Sequence, residues 1–341
     1  MKGGLVLSKA HLSYWLRQLR KDADLIGPLR SADGDIVFSS VENIHDIVAD
    51  CPANLPSPKE FLFPQKEEMY KFSPKGTARP GNHNKRVIFG IRSCDMSAVG
   101  LMDTFYGGQY EDDLYMERRK NTFFISIACN RPDSSCFCIG LGTGPFLKEG
   151  FDIQLTDLGD RYMVQVGSAK GRQMIKGFGH IFRRPKKADY DDQYEANLSS
   201  QSKFEKRITL DNVRRKILAG KVPDSFWEGI ASRCFQCGGC VYQCPVCTCF
   251  NVVDWKDEGA EKGVRMRIWD GCMFKGFTKM AGNVWPAEQI AKRTKRWYSH
   301  KLLYWPEQTG KFGCVGCGRC TITCPGKIDM ATVANRLEKK D

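Results

Sequence analysis

One pattern of cysteines, Cys-x-x-Cys-x-x-Cys-x-x-x-Cys-Pro, occurs twice in this chain. The first copy runs through Cys234, Cys237, Cys240 and Cys244 to Pro245, and the second through Cys314, Cys317, Cys320 and Cys324 to Pro325. Three thiols spaced by two residues sit on one tight loop, and glycine lets the backbone fold closely around whatever those thiols hold. The copies are 80 residues apart, so a long insertion separates them. No other internal repeat is visible, and beyond residue 218 the cysteines govern the architecture more than hydrophobic periodicity does.

The doubled run resembles that of bacterial ferredoxins, in which the fourth cysteine ligates the cluster of the other copy. The resemblance implies two [4Fe-4S] clusters. Cys234, Cys237, Cys240 and Cys324 would hold the first, and Cys314, Cys317, Cys320 and Cys244 the second. Zinc is the main rival, but a zinc ribbon separates two Cys-x-x-Cys pairs by a longer spacer and needs only four thiolates. Disulfides are disfavoured because the chain is long and residues 1–20 read as an amphipathic helix rather than a signal peptide. With all corners held by cysteine, such clusters transfer single electrons and leave no open place for a substrate.

The first half of the chain has a different texture. Val87–Ile91 and Thr122–Cys129 read as buried strands, rich in Val, Ile and Phe. Residues 24–26, 35–38 and 162–166 are weaker strands, and residues 96–105 form a short helix between the two good ones. This predicts an N-terminal α/β domain over 1–185. A basic and then polar stretch at 183–203 leads into a mostly helical, ferredoxin-like dicluster domain over 186–341, with helical spacing at 208–218, for an α+β chain overall. Cys94 follows the first good strand; Cys129 ends the second and leads to Cys136 and Cys138. If the strands are neighbours, their carboxyl ends could bring four thiols together. Spacing alone favours four buried small residues over a third metal centre.

Longer segments carry a family resemblance: Ser57–Gln65, Phe89–Asp95, Cys136-Phe-Cys138 with Gly142–Pro145, Cys244–Phe250, Trp269–Phe274 and His300–Tyr304. The chain is similar, over roughly residues 10–330, to an iron-sulfur family that includes the electron-carrying component of anaerobic sulfite reductase and the beta subunit of cytoplasmic nickel-iron sulfhydrogenases. Ser93 stands where that family has proline. The resemblance tips Cys94, Cys129, Cys136 and Cys138 toward a third [4Fe-4S] cluster. It implies a cytoplasmic, non-catalytic electron carrier in an anaerobic redox complex. Its partners would be a flavin subunit linked to NAD(P)H or ferredoxin, and a catalytic hydrogenase, sulfite reductase or heterodisulfide-reductase-type subunit.

No glycine-rich dinucleotide loop follows a predicted strand, which argues against an own flavin or NAD. No apolar run is long enough to span a membrane. The formal charge of +13 invites a nucleic-acid partner, but anionic clusters offset part of it and no nucleic-acid motif accompanies the basic runs at 183–187 and 292–296. Two rivals remain: a self-contained reductase using Arg92, Cys94 and Asp95, and a cluster-bearing nucleic-acid protein. Cys51, Cys247, Cys249 and Cys272 fall outside the ligand sets and read as packing residues. His11, His45, His83, His180 and His300 are scattered and form no group.

Overall fold

The computed structural model describes residues 4–50, 56–80 and 84–339; Cys51 and His83 lie outside them. The N-terminal region is built on an eight-stranded mixed sheet. At its centre, strands Asp24–Arg30, Arg86–Arg92, Thr122–Ile127 and Ile153–Asp157 run parallel, with Ile88 beside Phe124 and Ile127 beside Leu155. These apolar, β-branched runs are buried on both faces, as parallel strands require. Antiparallel strands close both sides: Ile36–Ser40 at one edge, Arg161–Val166, Leu5–Ser8 and Phe182–Arg183 at the other.

The expected strands are therefore present, as is the helix between the two good ones, which runs from Ser93 to Tyr106. The amphipathic N-terminal helix spans Lys9–Asp22, capped by the Ser8 hydroxyl, and buries Leu12, Trp15 and Leu16 against the sheet. At the start of the helix Lys187–Ser202, Asp189 accepts from the Lys186 backbone N–H and pairs with Arg161 and Arg183.

The C-terminal region is helical, packing Trp227, Ile230, Trp297, Tyr298 and Leu302 with the terminal helix Met330–Lys339. The expected segment at 208–218 is helical over Asp211–Leu218. The insertion between the cysteine motifs contributes something the periodicity does not announce, a β-hairpin of Phe250–Lys256 and Gly263–Trp269. The hairpin joins Lys66–Ser73 and Gly76–Ala78 in a four-stranded sheet, so strands from both halves of the chain share one ladder. Arg267, fully buried, ties the junction by donating to Glu67 (2.9 Å) and to Asp112. Among the described residues no helix is long and apolar enough to cross a membrane.

Candidate iron-sulfur centres

The two cysteine loops have the same backbone. Residues 236 and 316, each just before the second cysteine, have positive φ (56° and 63°), as do Gly238 and Gly318 just after it (75° and 76°). Each loop then enters a short helix, Gly239–Tyr242 or Arg319–Ile322. Glycine is required at 318 for space as well: a Cβ there would lie 2.3 Å from the Ser135 hydroxyl. At 236 the left-handed residue is a glutamine, whose side-chain carbonyl accepts from Arg293.

Cys234, Cys237, Cys240 and Cys324 surround one void, walled by Met273, Trp297, Tyr298 and Ile328. Cys244, Cys314, Cys317 and Cys320 surround a second, walled by Phe137, Trp297, Val315 and Met330. Each void takes three thiols from one loop and the pre-proline thiol of the other, and the second void takes Cys240 as well. Cys240 and Trp297 line both voids, so the two share a wall.

Cys94, Cys129, Cys136 and Cys138 pack into one buried cluster that also contains Cys317, with the partly buried Cys244 against it. The two strands that deliver Cys94 and Cys129 are adjacent and parallel, which brings their carboxyl ends together. Cys136 and Cys138 arrive on a loop pinned to the second cysteine loop: Phe137 N–H donates to Gly316 O (2.9 Å) and the Cys136 thiol to Cys317 O (3.7 Å). A Cβ on Gly144 would stand 2.9 Å from Cys138 Sγ, so glycine makes room for the thiol.

The electrostatics suit a polynuclear cation. Burial, reinforced by neighbouring thiols, pushes Cys240 and Cys136 up to about 12, and burial does the same to Cys314 against the pull of Lys301. As free thiols these groups stay protonated at neutral pH, whereas iron bound among them favours the thiolate. A cubane places a separate iron at each of four thiols.

Two lysines that sequence reasoning missed face these thiols. Lys301 lies in the π-helical turn His300–Tyr304 that continues the helix Ile290–Ser299, 3% exposed, with its ammonium 3.3 Å from Cys244 Sγ and 2.8 Å from Gly313 O. Burial disfavours its charge, but the sulfurs of Cys244, Cys247 and Cys314 outweigh that and hold its pKa well above the usual lysine range. Lys59, also 3% exposed, donates to the carbonyls of Cys244 (2.9 Å) and Cys247 (3.0 Å) and sits 3.9 Å over the Trp269 ring. The signal available was a lysine amid apolar residues in two of the segments that carry the family resemblance.

The remaining named residues separate from the sites. Arg92 and Asp95 are buried; Asp95 is engaged by Arg319 and by the Ser57 hydroxyl, and Arg92 donates to Ala49 O. His11, His45 and His180 remain apart from the thiols, whereas His300 lines a cleft beside Cys249 and Cys272, its pKa lowered to about 4 by burial and by Lys301.

Residues 233–328 match the 4Fe-4S dicluster domain family. Over 335 residues the chain is 31% identical to the sulfhydrogenase 2 subunit beta of Pyrococcus furiosus, an alignment covering 97% of this chain and 98% of that protein.

Proposed function

The chain belongs to the iron-sulfur family of that hydrogenase beta subunit, and on this premise we propose that it relays single electrons between two redox partners. One partner is a flavin subunit linked to NAD(P)H or ferredoxin. The other is a catalytic hydrogenase subunit, with sulfite reductase and heterodisulfide-reductase-type subunits as the other homes of this kind of carrier. Three [4Fe-4S] sites make up the relay: Cys234, Cys237, Cys240 and Cys324; Cys244, Cys314, Cys317 and Cys320; and Cys94, Cys129, Cys136 and Cys138. Bound there, the clusters supply one-electron transfer.

The observation that carries the reading is the contiguity of the three thiol sets, the first two sharing Cys240 and Trp297 and the last two meeting at Cys317. Around them the chain excludes water with Phe137, Trp297, Tyr298 and Trp305, and Lys301 opposes the negative charge gathered at the second set. The first set reaches the surface, since Cys237 is exposed and Phe235 beside it is 71% exposed. A partner that covers Phe235 would bring its own redox group close to that site. Asp95 is already paired and Cys94 is buried, which favours the relay over a substrate site at Arg92, Cys94 and Asp95.

Iron and acid-labile sulfide per chain, measured on protein purified without oxygen, test the reading together with paramagnetic resonance of the reduced form. Iron at about twelve per chain or above, falling by about four in a Cys138→Ala variant, supports three cubanes; about eight confines the relay to the C-terminal sites, and zinc without iron overturns it. Isolation of the native complex under the same conditions identifies the partners; a chain that reduces substrates alone would refute the carrier role.

A further inference from the structure

Cys247, Cys249 and Cys272 belong to none of the three sets, yet the fold gathers them. The first two follow Cys244-Pro-Val on the segment that becomes strand Phe250–Lys256, and the third follows the partner strand Gly263–Trp269. Phe250 pairs with Trp269, and Asp270 N–H donates to Cys249 O (3.1 Å), so the open end of the hairpin draws residues 249 and 272 together. Cys249 and Cys272 line one cleft, and the carbonyls of Cys244 and Cys247 both accept from the Lys59 ammonium.

Charge completes the picture. Lys59 and Lys301 bring two buried ammonium groups to this place, and among the described residues neither forms an ion pair with a carboxylate. The Lys301 ammonium lies 3.3 Å from Cys244 Sγ of the second cubane site, whereas Lys59 donates to the carbonyls of Cys244 and Cys247. Buried cations are retained where anions answer them, and the groups able to do so here are thiols. Thiolates crowded in a buried site are in turn stabilised by a metal.

Resting on the reading of the chain as an iron-sulfur carrier, we propose that Cys247, Cys249 and Cys272 are ligands of an additional iron-sulfur centre beside the Cys244 site, with Lys59 and Lys301 as counter-charges. Cys249 and Cys272 form part of the wall of an open cleft of about 640 Å³, whose cationic side chains are Lys292, Lys295 and Arg296. The centre therefore has one side toward solvent, in a positively charged setting, unlike the enclosed third set.

The test uses the full chain, purified without oxygen. Iodoacetamide labelling with peptide mapping, before and after iron is chelated, reads each thiol. Cys249 is expected to resist labelling in the iron-loaded protein and to react once iron is removed, in parallel with Cys237, the exposed ligand of the first set. Labelling of Cys249 while Cys237 stays protected overturns the proposal and leaves the carrier reading standing; labelling of both overturns the two together. Recovery of Cys249 and Cys272 as a disulfide from iron-loaded protein also overturns it, assigning them instead as a dithiol couple. Independently, the C249S/C272S variant is expected to lose two to about four irons per chain, with matching sulfide. Unchanged iron, sulfide and paramagnetic spectrum in that variant would sink the proposal.

Discussion

The Arg319 guanidinium and the Asp95 carboxylate meet in a two-point ion pair at 2.8 and 2.7 Å, with both residues no more than 3% exposed. Arg319 stands between Cys317 and Cys320 of the second cysteine loop, and Asp95 follows Cys94 in the first turn of the helix Ser93–Tyr106. One interaction thus locks the cysteine loop of the C-terminal region to the carboxyl end of the N-terminal sheet, at the place where the second and third thiol sets meet. Breaking such a pair from one side leaves a charge buried without its counterpart.

Asp95→Asn is accordingly expected to destabilise the protein by about 3–5 kcal/mol, and Arg319→Met by a comparable amount. The double variant D95L/R319M should regain most of the loss, because apolar replacement of a buried pair is often neutral. Thermal unfolding of iron-loaded protein under argon measures all three. An Asp95→Asn protein as stable as the parent would show that the pair does not tie the halves together.

Asp189 sets a pH dependence. Arg183, together with the Lys186 N–H and Arg161, holds its carboxyl well below the usual carboxylate range. A carboxylate whose pKa is depressed by folding contributes stability that is complete above its unfolded value near 4. That contribution fades as pH falls toward the depressed value. Asp189→Asn should therefore cost about 1–2 kcal/mol at pH 7, in line with loss of a helix cap and its ion pairs. The gap between variant and parent should narrow on acidification below pH 4. Urea unfolding at a series of pH values tests this, and a gap that stays constant would refute the assignment.

The third thiol set predicts a selective loss. Cys138→Ala removes one thiol from the third set, and iron should fall by about four per chain. The paramagnetic signals of the two C-terminal sites should persist. Metal analysis and spectroscopy of the variant decide it; unchanged iron would return Cys94, Cys129, Cys136 and Cys138 to the status of buried small residues.

The legibility of these sites follows sequence distance. Three thiols of each C-terminal set lie within seven residues, so their geometry is local and the spacing alone announces it. The strands Arg86–Arg92 and Thr122–Ile127 are equally open to reading, because both faces are buried and the residues are mainly apolar. The hairpin Phe250–Lys256 was not: its strand alternates poorly, leaves Asn251, Val252 and Asp254 to Lys256 exposed, and gains its place by pairing with Gly263–Trp269, which in turn pairs with Lys66–Ser73. For the same reason Cys249 and Cys272 looked like isolated packing residues, and Lys59 reaches the Cys247 carbonyl across 188 positions of sequence, a relation no local pattern encodes.

Lys301 offers the most direct handle on electron transfer. Its ammonium, 3.3 Å from Cys244 Sγ, is a full positive charge beside the second thiol set in a site with little water. A nearby cation stabilises the more negative, reduced state of an iron-sulfur centre and so raises its potential. Lys301→Met keeps the length of the side chain and removes the charge. The midpoint potential of that centre should become more negative, by on the order of 50–100 mV for a charge about 7 Å away at an effective dielectric of about 20. Lys301→Arg, which retains the charge, should restore most of the shift. Redox titration followed by paramagnetic resonance measures both variants. A Met variant whose potentials all match the parent would mean that Lys301 answers other anions, the Cys247 thiolate foremost, and not the second cluster.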